Sequence, residues 1–387
     1  MNVPQLRFKG FEGEWKETKV GEILILLKSG LSRKLSSYNI GIPVIRSTNL
    51  VNGNLDLSDL AYWYRVDDQG AKIDNYILER GDILINFINS QAQIGKSCIY
   101  TSDIEAIYTT NIFRIKTSKE KSINEYFYYW TLTERYRKEI QNIVKPAVNQ
   151  ASFTTKEFNE IKYYLPSLKE QEKVADFFTL IDKKIEKQQE KIEKLEQFKK
   201  GMMQKIFSQE LRFKDEDGGE FVEWEEKKLG QVLKIKHGKD QKKIENPNGK
   251  YPILATGGVI GRTDTFLYDR ESVLIGRKGT IDKPVYMKSP FWTVDTLFYS
   301  EINSYNYSKF IFYTFQSINW KLYSEASGVP SLSAKTIEAI KVIVPSYQEQ
   351  KSIGDYLSVL DLKIKKEQEK LKVFKQYKKA FIQKMLL

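Results

Sequence analysis

The chain has 387 residues, enough for two domains of ordinary size, and 41% of them are hydrophobic, so it can bury real cores. A net charge of +12 favours an anionic partner, and the excess is spread along the chain instead of forming a basic arm. One cysteine, Cys98, and one histidine, His237, exclude an internal disulfide and a zinc site built from His and Cys ligands.

The start of the chain, MNVPQLRFKGFEGEW, contains no apolar signal region. No run approaches the ~18 apolar residues of a membrane span. We therefore expect a soluble, cytoplasmic protein. Nucleophilic catalysis that uses a histidine would depend on His237 alone, which lies in a Gly- and Lys-rich stretch, so the composition does not favour it.

The first elements along the chain are an opening segment, LRFKGFEGEWKETKVGEIL at 6–24, and a series of short apolar runs. The runs IPVIRSTNL, GDILINFI, SCIYTS and NIFRIKT are separated by Gly, Asn and Asp, which is typical of strands and turns. A helical pattern follows at 123–141. These features predict an α/β globule with a mostly antiparallel or mixed sheet.

A long charged segment comes next, beginning with the phrase PSLKEQEK at Pro166. Ser167 and Glu170 fit a capping box, in which the hydroxyl caps an early N–H and the carboxylate reaches back to the start of the helix. Apolar residues then recur three and four positions apart, which is coiled-coil spacing. The segment predicts one helix of about 35–40 residues, roughly 50–60 Å long.

The second half of the chain repeats this order. An opening segment at 211–233 again starts with Leu-Arg-Phe, the runs YPILAT, SVLIGRKG, KPVYMK and TLFYSEI predict strands, and a helical pattern covers 308–325. The phrase PSYQEQKS then begins a second long helix, with Ser346 and Glu349 as its capping box. The two phrases are 345 − 166 = 179 residues apart.

The two long segments are copies of each other. Residues 161–207 align with 340–386 without a gap, and about 19 of the 47 positions are identical, so the chain is two tandem units whose middles align poorly. The seam has one polar position in each copy, Gln188 and Glu367. The predicted helix–helix seam consists of Phe178, Ile181, Ile185, Ile192, Leu195, Leu357, Leu360, Ile364, Leu371 and Phe374.

No catalytic or nucleotide-binding motif is complete. Gly95-Lys96-Ser97 resembles the end of a P-loop, but the pattern needs glycine where Ser90 stands, and a helix where CIYTS follows. No Gly-x-Gly-x-x-Gly opens a helix after a strand, and the Asn/Asp-Pro-Pro-aromatic stretch of amino-methyltransferases does not occur. The sequence does not indicate an enzyme.

Polar and basic loops remain as candidate binding sites. Arg, Lys, Asn and Gln side chains read base edges, while Lys, Ser, Thr and Gly amides hold phosphates. Each loop alone is also explained as a solvated turn, but the loops recur at matching places in both units. The candidates are Lys28, Arg33, Lys34, Arg46, Ser47, Thr48, Asn49, Asn89, Gln91, Gln93, Lys96, Thr110 and Asn111 in the first unit, and Lys236, His237, Lys239, Lys242, Lys243, Thr256, Gly257, Gly258, Arg277, Lys278, Thr280 and Thr293 in the second.

Two unlike α/β middles, each closed by a near-copied helix, resemble the specificity subunit of type I restriction–modification enzymes. The opening segments, the Pro-Ser-x-x-Glu-Gln helix starts and the lead-ins at 152–166 and 331–345 carry the resemblance, which covers nearly the whole chain. It implies an α/β (α+β) fold, in which two α/β target recognition domains are separated by two long antiparallel coiled-coil helices in an internal pseudo-twofold repeat. The expected boundaries are 1–160 for the first recognition domain, 161–210 for the central helix, 211–345 for the second recognition domain and 346–387 for the C-terminal helix.

The resemblance also implies a function. Each recognition domain would read one half of a bipartite double-stranded DNA target, and the helices would set the spacer between the halves. The chain itself would be non-catalytic and would hold no cofactor or metal. Two modification (methyltransferase) subunits would use S-adenosylmethionine to methylate adenine, and restriction/translocase subunits would use ATP and Mg.

Three alternatives stay open. A coiled-coil scaffold or interaction protein would show no sequence-specific DNA binding. A fused methyltransferase or nuclease would need a cofactor or catalytic motif. An orphan specificity subunit, or one that exchanges halves with silent copies, would differ in its neighbouring genes.

Overall fold

The computed structural model describes residues 2–51, 53–146, 150–288 and 290–387. The chain divides into two compact units. The first comprises the residues up to Lys187 together with Lys370–Leu387, and the second is Gln188–Glu369. Each long helix is therefore divided between the units. The domain boundaries expected from the sequence, which assign whole helices to separate segments, stay predictions.

The first half of the chain contains fourteen strands among the described residues and ends in the long helix α5, whose part after Lys187 belongs to the second unit. Its elements in chain order are β1 (Lys16–Lys19), α1 (Val20–Ile23), β2 (Leu24–Ser29), β3 (Ile42–Ile45), β4 (Leu50–Val51), β5 (Asn54–Leu55), β6 (Ala61–Trp63), β7 (Ile83–Asn86), β8 (Ile88–Asn89), β9 (Ser97–Ile99), β10 (Ile107–Tyr108), β11 (Ile112–Thr117), α2 (Asn124–Trp130), α3 (Glu134–Ile143), β12 (Lys145–Pro146), β13 (Ala151–Ser152), α4 (Thr155–Asn159), β14 (Lys162–Leu165) and α5 (Leu168–Phe207).

The second half of the chain repeats this order with fewer strands, and its long helix α9 belongs to the second unit as far as Glu369. Its elements are β15 (Glu225–Lys228), α6 (Leu229–Val232), β16 (Leu233–Lys236), β17 (Tyr251–Ala255), β18 (Gly258–Thr263), β19 (Ser272–Gly276), β20 (Val285–Met287), β21 (Trp292–Thr293), β22 (Leu297–Ile302), α7 (Ser308–Ser317), α8 (Ala334–Ala339), β23 (Lys341–Val344) and α9 (Tyr347–Met385). Short 3-10 turns lie at Ser47–Asn49, Ile73–Tyr76 and Trp320–Tyr323.

The two middles share one sheet topology although their sequences align poorly. Each has a four-stranded antiparallel sheet, in the order β2-β11-β7-β9 in the first unit and β16-β22-β19-β20 in the second. Each also has a three-stranded mixed sheet, β10-β3-β6 or β21-β17-β18, in which one pair is parallel. The predicted mixed α/β middles are therefore confirmed, and they are two versions of the same frame.

The sheets are held by buried aliphatic strands. All the residues of β7 and β19 are buried, and β-branched residues such as Ile83, Ile85 and Val273 suit a strand covered on both faces. Aromatic side chains of α2 cover the first sheet, where the Trp130 ring meets Tyr163 edge-on at 4.8 Å between centroids. Each middle therefore has its own hydrophobic core.

The opening segments close each unit by pairing with the lead-ins. Strand β1 is antiparallel to β14, with Lys16 opposite Leu165, and β15 is antiparallel to β23, with Glu225 opposite Val344. This pairing joins residues that are far apart in sequence. It explains why the opening segment and the lead-in are duplicated together.

Two predicted helices are shorter than expected. The pattern at 123–141 is divided between α2, which ends at Trp130 with Thr131 as its C-cap, and α3, which Thr133 caps by accepting a hydrogen bond from the Tyr136 N–H. The pattern at 308–325 ends as an α-helix at Ser317 and continues only as a 3-10 turn. Both long helices are confirmed, with 40 and 39 residues.

The predicted capping boxes are half right. The hydroxyls of Ser167 and Ser346 accept from the N–H groups of Glu170 and Glu349, at 3.3 and 3.4 Å. Neither carboxylate reaches back to the helix start. Instead Glu170 forms a two-point ion pair with Arg7 at 2.7 and 2.8 Å.

The second unit makes the same buried pair. Glu349 accepts from Arg212 at 2.9 and 3.3 Å and from the indole N–H of Trp224 at 3.0 Å. The carboxylate side chain is fully buried, and its hydrogen bonds raise the pKa of Arg212 above its ordinary value. The Arg of each Leu-Arg-Phe opening therefore anchors the start of the long helix.

The glutamine after each of these glutamates makes hydrogen bonds that are also repeated in the two units. Gln171 accepts from the N–H of Ile123 at 3.0 Å, and Gln350 accepts from the N–H of Tyr307 at 2.8 Å. Each amide also donates to the carbonyl of the proline five residues before it. The Glu-Gln pair thus joins each long helix to the opening segment and to the loop before the domain helix.

The parts of α5 and α9 that lie in one unit run antiparallel. In the first unit, Phe177 contacts Phe381 with ring centroids 5.5 Å apart, and Asp182 pairs with Lys378 at 2.5 Å. As the residue number rises along α5 it falls along α9. The ten seam residues are all buried or half-buried, although Phe178 also packs on Tyr129 of the first domain, with centroids 5.0 Å apart.

The second unit shows the same antiparallel register. Lys199 pairs with Asp361 at 2.6 Å, and Gln188 donates to the Glu367 carboxylate at 2.7 Å. The repeat shift of 179 turns Asp182 into 361 and Lys199 into 378, so the two ion pairs are made by exchanged copies of the same two positions. The chain folds as two α/β domains with two long helices whose paired parts are antiparallel.

Candidate nucleic-acid interface

The sheet topology gathers the candidate residues of the first unit at one edge. Strands β2 and β7 both pair antiparallel with β11, so they end where β11 begins. Strand β3 ends at the same place, because Thr109 donates its N–H to the carbonyl of Ile45. The loops that leave these strands form what we call the first loop edge, which carries Lys28, Arg46, Ser47, Thr48, Asn89, Gln91, Gln93, Lys96, Thr110 and Asn111.

The second unit has an equivalent second loop edge. Strands β16 and β19 end where β22 begins, and the β17–β18 turn lies beside them. The backbone contacts match those of the first unit, because Val294 donates its N–H to the carbonyl of Leu254. This edge carries Lys236, His237, Lys239, Thr256, Gly257, Gly258, Arg277, Lys278 and Thr280.

One glycine in each unit allows the loops to come this close. A Cβ added at Gly30 would overlap the carbonyl oxygens of Tyr108 and Thr109, and one added at Gly238 would overlap those of Thr293 and Val294. Both glycines follow the strand at the loop edge. Only a residue without a side chain lets the backbone after this strand pass so close to the parallel pair.

Two arginine candidates of the first unit are held in ion pairs. Arg33 makes a two-point pair with Asp67 at 2.7 and 2.8 Å, and this pair lowers the pKa of the Asp67 carboxyl well below its usual range. Arg46 donates to Asp59 at 2.8 Å. The side chain of Arg33 is 14% exposed, so Arg33 fixes the loop that carries the exposed Lys34.

Asn49 is a structural residue. It is 3% exposed, its side-chain carbonyl accepts from the Arg46 N–H, and its amide donates to the carbonyls of Asp56 and Asp59. Both the carbonyl and the amide of the Asn49 side chain are therefore engaged by backbone groups of its own loop. We therefore withdraw Asn49 as a base contact and assign it the support of Ser47 and Thr48.

The loop between β8 and β9 presents the glutamines. Gln91 and Gln93 are exposed, and Lys96 is half-buried. Gly95 anchors the loop, since its carbonyl accepts from Tyr136 at 3.1 Å and a Cβ at this position would overlap Ile140. The loop is therefore a fixed scaffold with free amide groups at its tip.

The second loop edge is more open. Lys239, Lys278 and Thr280 are exposed, and the half-buried Arg277 lies 3.8 Å from Asp295. The candidates Lys242 and Lys243, further along the loop after β16, are also exposed.

Other candidates of the two units are less free. Lys236 pairs with Glu301 at 3.3 Å, and Lys28 lies over the Tyr76 ring at 4.2 Å. Thr293 is fully buried in β21 and thus supports the sheet, so we withdraw it as a DNA contact.

The structure offers no alternative chemistry at the motifs that resembled active sites. Ser97 begins strand β9 and its hydroxyl lies 2.6 Å from that of Thr131, so no P-loop helix follows Gly95. Burial raises the pKa of the Cys98 thiol, which disfavours the thiolate a nucleophile needs. The exposed His237 ring lies edge-on to Phe298. Among the described residues no cluster of His, Cys, Asp and Glu could hold a metal ion, and no helix has the length and apolar character to cross a membrane.

Local sequence patterns do not indicate the residues that attach the domains to the helices. Arg7 and Arg212 occupy the middle of the duplicated Leu-Arg-Phe, and their partners are the duplicated glutamates. Both partners belong to repeated phrases, Leu-Arg-Phe and Pro-Ser-x-x-Glu-Gln, but the arginine and the glutamate are 163 residues apart in the first unit and 137 in the second, so local patterns do not indicate that they pair.

Comparison with known proteins agrees with this architecture. Residues 12–197 and 221–376 match the family model described as the type I restriction modification DNA specificity domain. A protein of Methanocaldococcus jannaschii, provisionally named as the specificity subunit of the type I restriction enzyme MjaX, is 30% identical over 395 residues, which cover 95% of this chain and 91% of the relative. The specificity subunit of the type I restriction enzyme MjaIX, from the same organism, is 27% identical, with coverage of 97% and 96%.

The fold is shared with a solved structure. The crystal structure of the S subunit of a type I restriction–modification system from M. genitalium superposes with a TM-score of 0.65. The identity is 17%, and the superposition covers 100% of this chain and 99% of that chain. At this identity the likeness concerns the fold.

Proposed function

Because the chain belongs to the type I restriction–modification DNA specificity family, we propose that it is the DNA-recognition subunit of a type I restriction–modification complex. Each middle reads one half of a bipartite double-stranded target. The chain directs methylation or restriction and does not catalyse either reaction itself.

The observation that carries this proposal is the duplication of the loop edge. In each unit the same strands end at one edge and present basic and amide side chains, such as Gln93 and Lys278, on a rigid sheet. Amides and guanidinium groups read base edges, and lysines neutralise phosphates. Two such edges with different residues suit a target whose two halves differ in sequence.

The long helices supply the second part of the proposal. The paired parts of α5 and α9 are locked by ion pairs and by buried apolar residues, so they can act as a spacer of fixed length. Half-sites read from one face of B-DNA lie about one turn, ~34 Å, apart. We propose that the helices set the number of unread base pairs between the half-sites.

We propose the partners that the family resemblance implies, and the duplication supports two copies of one of them. The opening segments, lead-ins and helices are near copies, so they present similar surfaces twice. Two modification (methyltransferase) subunits that use S-adenosylmethionine fit these surfaces, and restriction/translocase subunits with ATP and Mg complete the complex. A scaffold without sequence-specific DNA binding is not favoured, because the family match covers both middles as well as the helices.

Exchanging one middle tests whether each domain reads its own half of the DNA target independently of the other. Residues 28–145 are replaced by the corresponding middle of a family member, and the methylated sequence is mapped. We expect one half of the recognised sequence to change and the other half to stay the same. A change in both halves would contradict independent reading by the two domains.

A further inference from the structure

The segment before each lead-in helix is tied to the loop edge in the same way in both units. In the second unit, Leu332 donates its N–H to the carbonyl of Arg277, and Gly279 donates to the carbonyl of Pro330, both at 2.9 Å. In the first unit, Phe153 donates its N–H to the carbonyl of Phe87 at 3.3 Å. The segment is therefore an additional strand-like element along the candidate interface.

The pairing registers agree with the repeat shift. Ser152 lies opposite Ile88 in the first unit, and Ser331 lies opposite Lys278 in the second. The difference between 331 and 152 is 179, the same shift that relates the long helices. Thr154 and Ser333 both cap the following helix, so the equivalence continues on that side.

Two positions from Ser152 and Ser331 toward the loop tip, the chain is exposed to solvent in both units. Shifting by 179 makes Gln150 equivalent to Val329. Both side chains are exposed, and Val329 is 66% exposed. On the helix side of this position Phe153 and its equivalent Leu332 are buried, and Ala151 is buried whereas its equivalent Pro330 is exposed.

We propose that Gln150 and Val329 are specificity-determining residues, each contacting base pairs in the half-site read by its own unit. This inference rests on the proposed function. The backbone frame is constant while the exposed side chain differs, as expected of a position that reads different bases in the two halves. A glutamine amide matches the donor and acceptor of adenine, and an apolar side chain matches the thymine methyl group.

The neighbourhood supports DNA as the occupant. Opposite these segments lie the loops that carry Gln91 and Gln93 in the first unit and Lys278 and Thr280 in the second. If one of these loops contacts a base pair, the segment that lies opposite it reaches the same groove of the DNA. Val329 is an exposed apolar side chain beside a basic loop. Contact with DNA would remove it from water, which is favourable for an apolar group.

The test compares Gln150→Val and Val329→Gln with matched controls. Gln141→Val changes an exposed glutamine of α3, and Val222→Gln changes a valine that is 70% exposed in the second opening segment. Full-length chains in complex with their modification subunits select duplexes from a randomised library. We expect each test variant to change base preference in one half-site by about 10- to 100-fold, and the controls to select like the wild type.

The outcomes separate this inference from its premise. If the wild type selects no split sequence, the proposed function fails and the inference falls with it. If the wild type selects a split sequence and both test variants select the same one with unchanged preferences, the proposed function stands and the inference is overturned.

Discussion

Gln188 and Glu367 occupy the same position in the two copies of the long helix, 367 − 188 = 179 residues apart, and their side chains are hydrogen-bonded to each other at 2.7 Å. The Gln188 amide also donates to the Glu367 backbone carbonyl at 3.0 Å. A position that contacts its own copy marks the register of an antiparallel pair. One polar pair in an apolar seam specifies register at a cost in stability.

This pair gives a first prediction. Gln188→Leu leaves the buried Glu367 carboxylate without its amide partner, so we expect a loss of about 1–3 kcal/mol in the free energy of unfolding. The double variant Gln188→Leu/Glu367→Leu should recover most of that loss, because two leucines complete the seam. Denaturant unfolding of the single and double variants measures both. Glu367 also forms an ion pair with Lys191 at 3.1 Å. A double variant that is less stable than Gln188→Leu would show that the contacts of the Glu367 carboxylate stabilise the helices more than a completed apolar seam does.

The buried arginine–glutamate pairs give a second prediction, with the two units as controls for each other. Arg7→Ala leaves Glu170 buried without its ion partner, whereas Arg212→Ala leaves Glu349 with the indole N–H of Trp224. We expect Arg7→Ala to cost about 2–3 kcal/mol and Arg212→Ala about 1 kcal/mol less. Thermal unfolding of the two variants tests the order. An equal loss in both would show that the Trp224 contact does not stabilise the carboxylate.

These pairs also show the limit of reading this sequence. The repeated Pro-Ser-x-x-Glu-Gln start predicts where each long helix begins, because capping depends on residues that are neighbours in sequence. The partner of Glu170 depends on the chain returning 163 residues later to the opening segment, and no local pattern carries that information. The capping prediction therefore failed at the carboxylate and held at Ser167.

The sheet topology that the two middles share could not be predicted from the sequence, for a different reason. Strands β7 and β19 occupy equivalent places but share only a pattern of buried aliphatic residues, and the parallel pairing of β3 with β10 is set by backbone contacts. The side-chain types in the loops indicated which residues could contact DNA. The burial of Asn49 and Thr293 could not be foreseen, because a polar residue in a turn reads the same whether it faces solvent or supports the loop.

Acid should weaken the contact between Lys145 and Glu157 of the first lead-in. An ion pair with Lys145 and hydrogen bonds from Thr154 lower the pKa of Glu157 from its ordinary 4.5 to about 2. A carboxyl whose pKa is lowered on folding contributes stability that is present above its unfolded value and lost as the pH falls through the folded value. We therefore expect the stability contributed by Glu157 to disappear between about pH 4.5 and 2.

The Glu157→Gln variant isolates this contribution. It should be less stable than the wild type at neutral pH, and the difference should shrink as the pH falls through that window. Thermal unfolding across the pH range measures the difference. A difference that does not change with pH would mean that the Glu157 charge is not what stabilises the contact.

Lengthening the helices tests the proposed spacer. One heptad inserted near residue 190 and another near residue 369 keeps the seam in register and adds about 10 Å to each helix. Since a base pair rises 3.4 Å along the DNA axis, the unread spacer should grow by about three base pairs, or activity should be lost. Insertion of a heptad in only one helix serves as the control and should disrupt the pairing. A double insertion that leaves both the spacer and the activity unchanged would contradict the spacer role.

The most direct test of the account is base-resolution mapping of N6-methyladenine in the genome of the native host, with and without this gene. The account predicts that one split sequence motif, with two different halves around a fixed spacer, loses its methylation when the gene is deleted and regains it on complementation. If the complex is expressed and deletion of the gene leaves every methylated motif unchanged, the chain does not direct DNA modification, and the account is wrong.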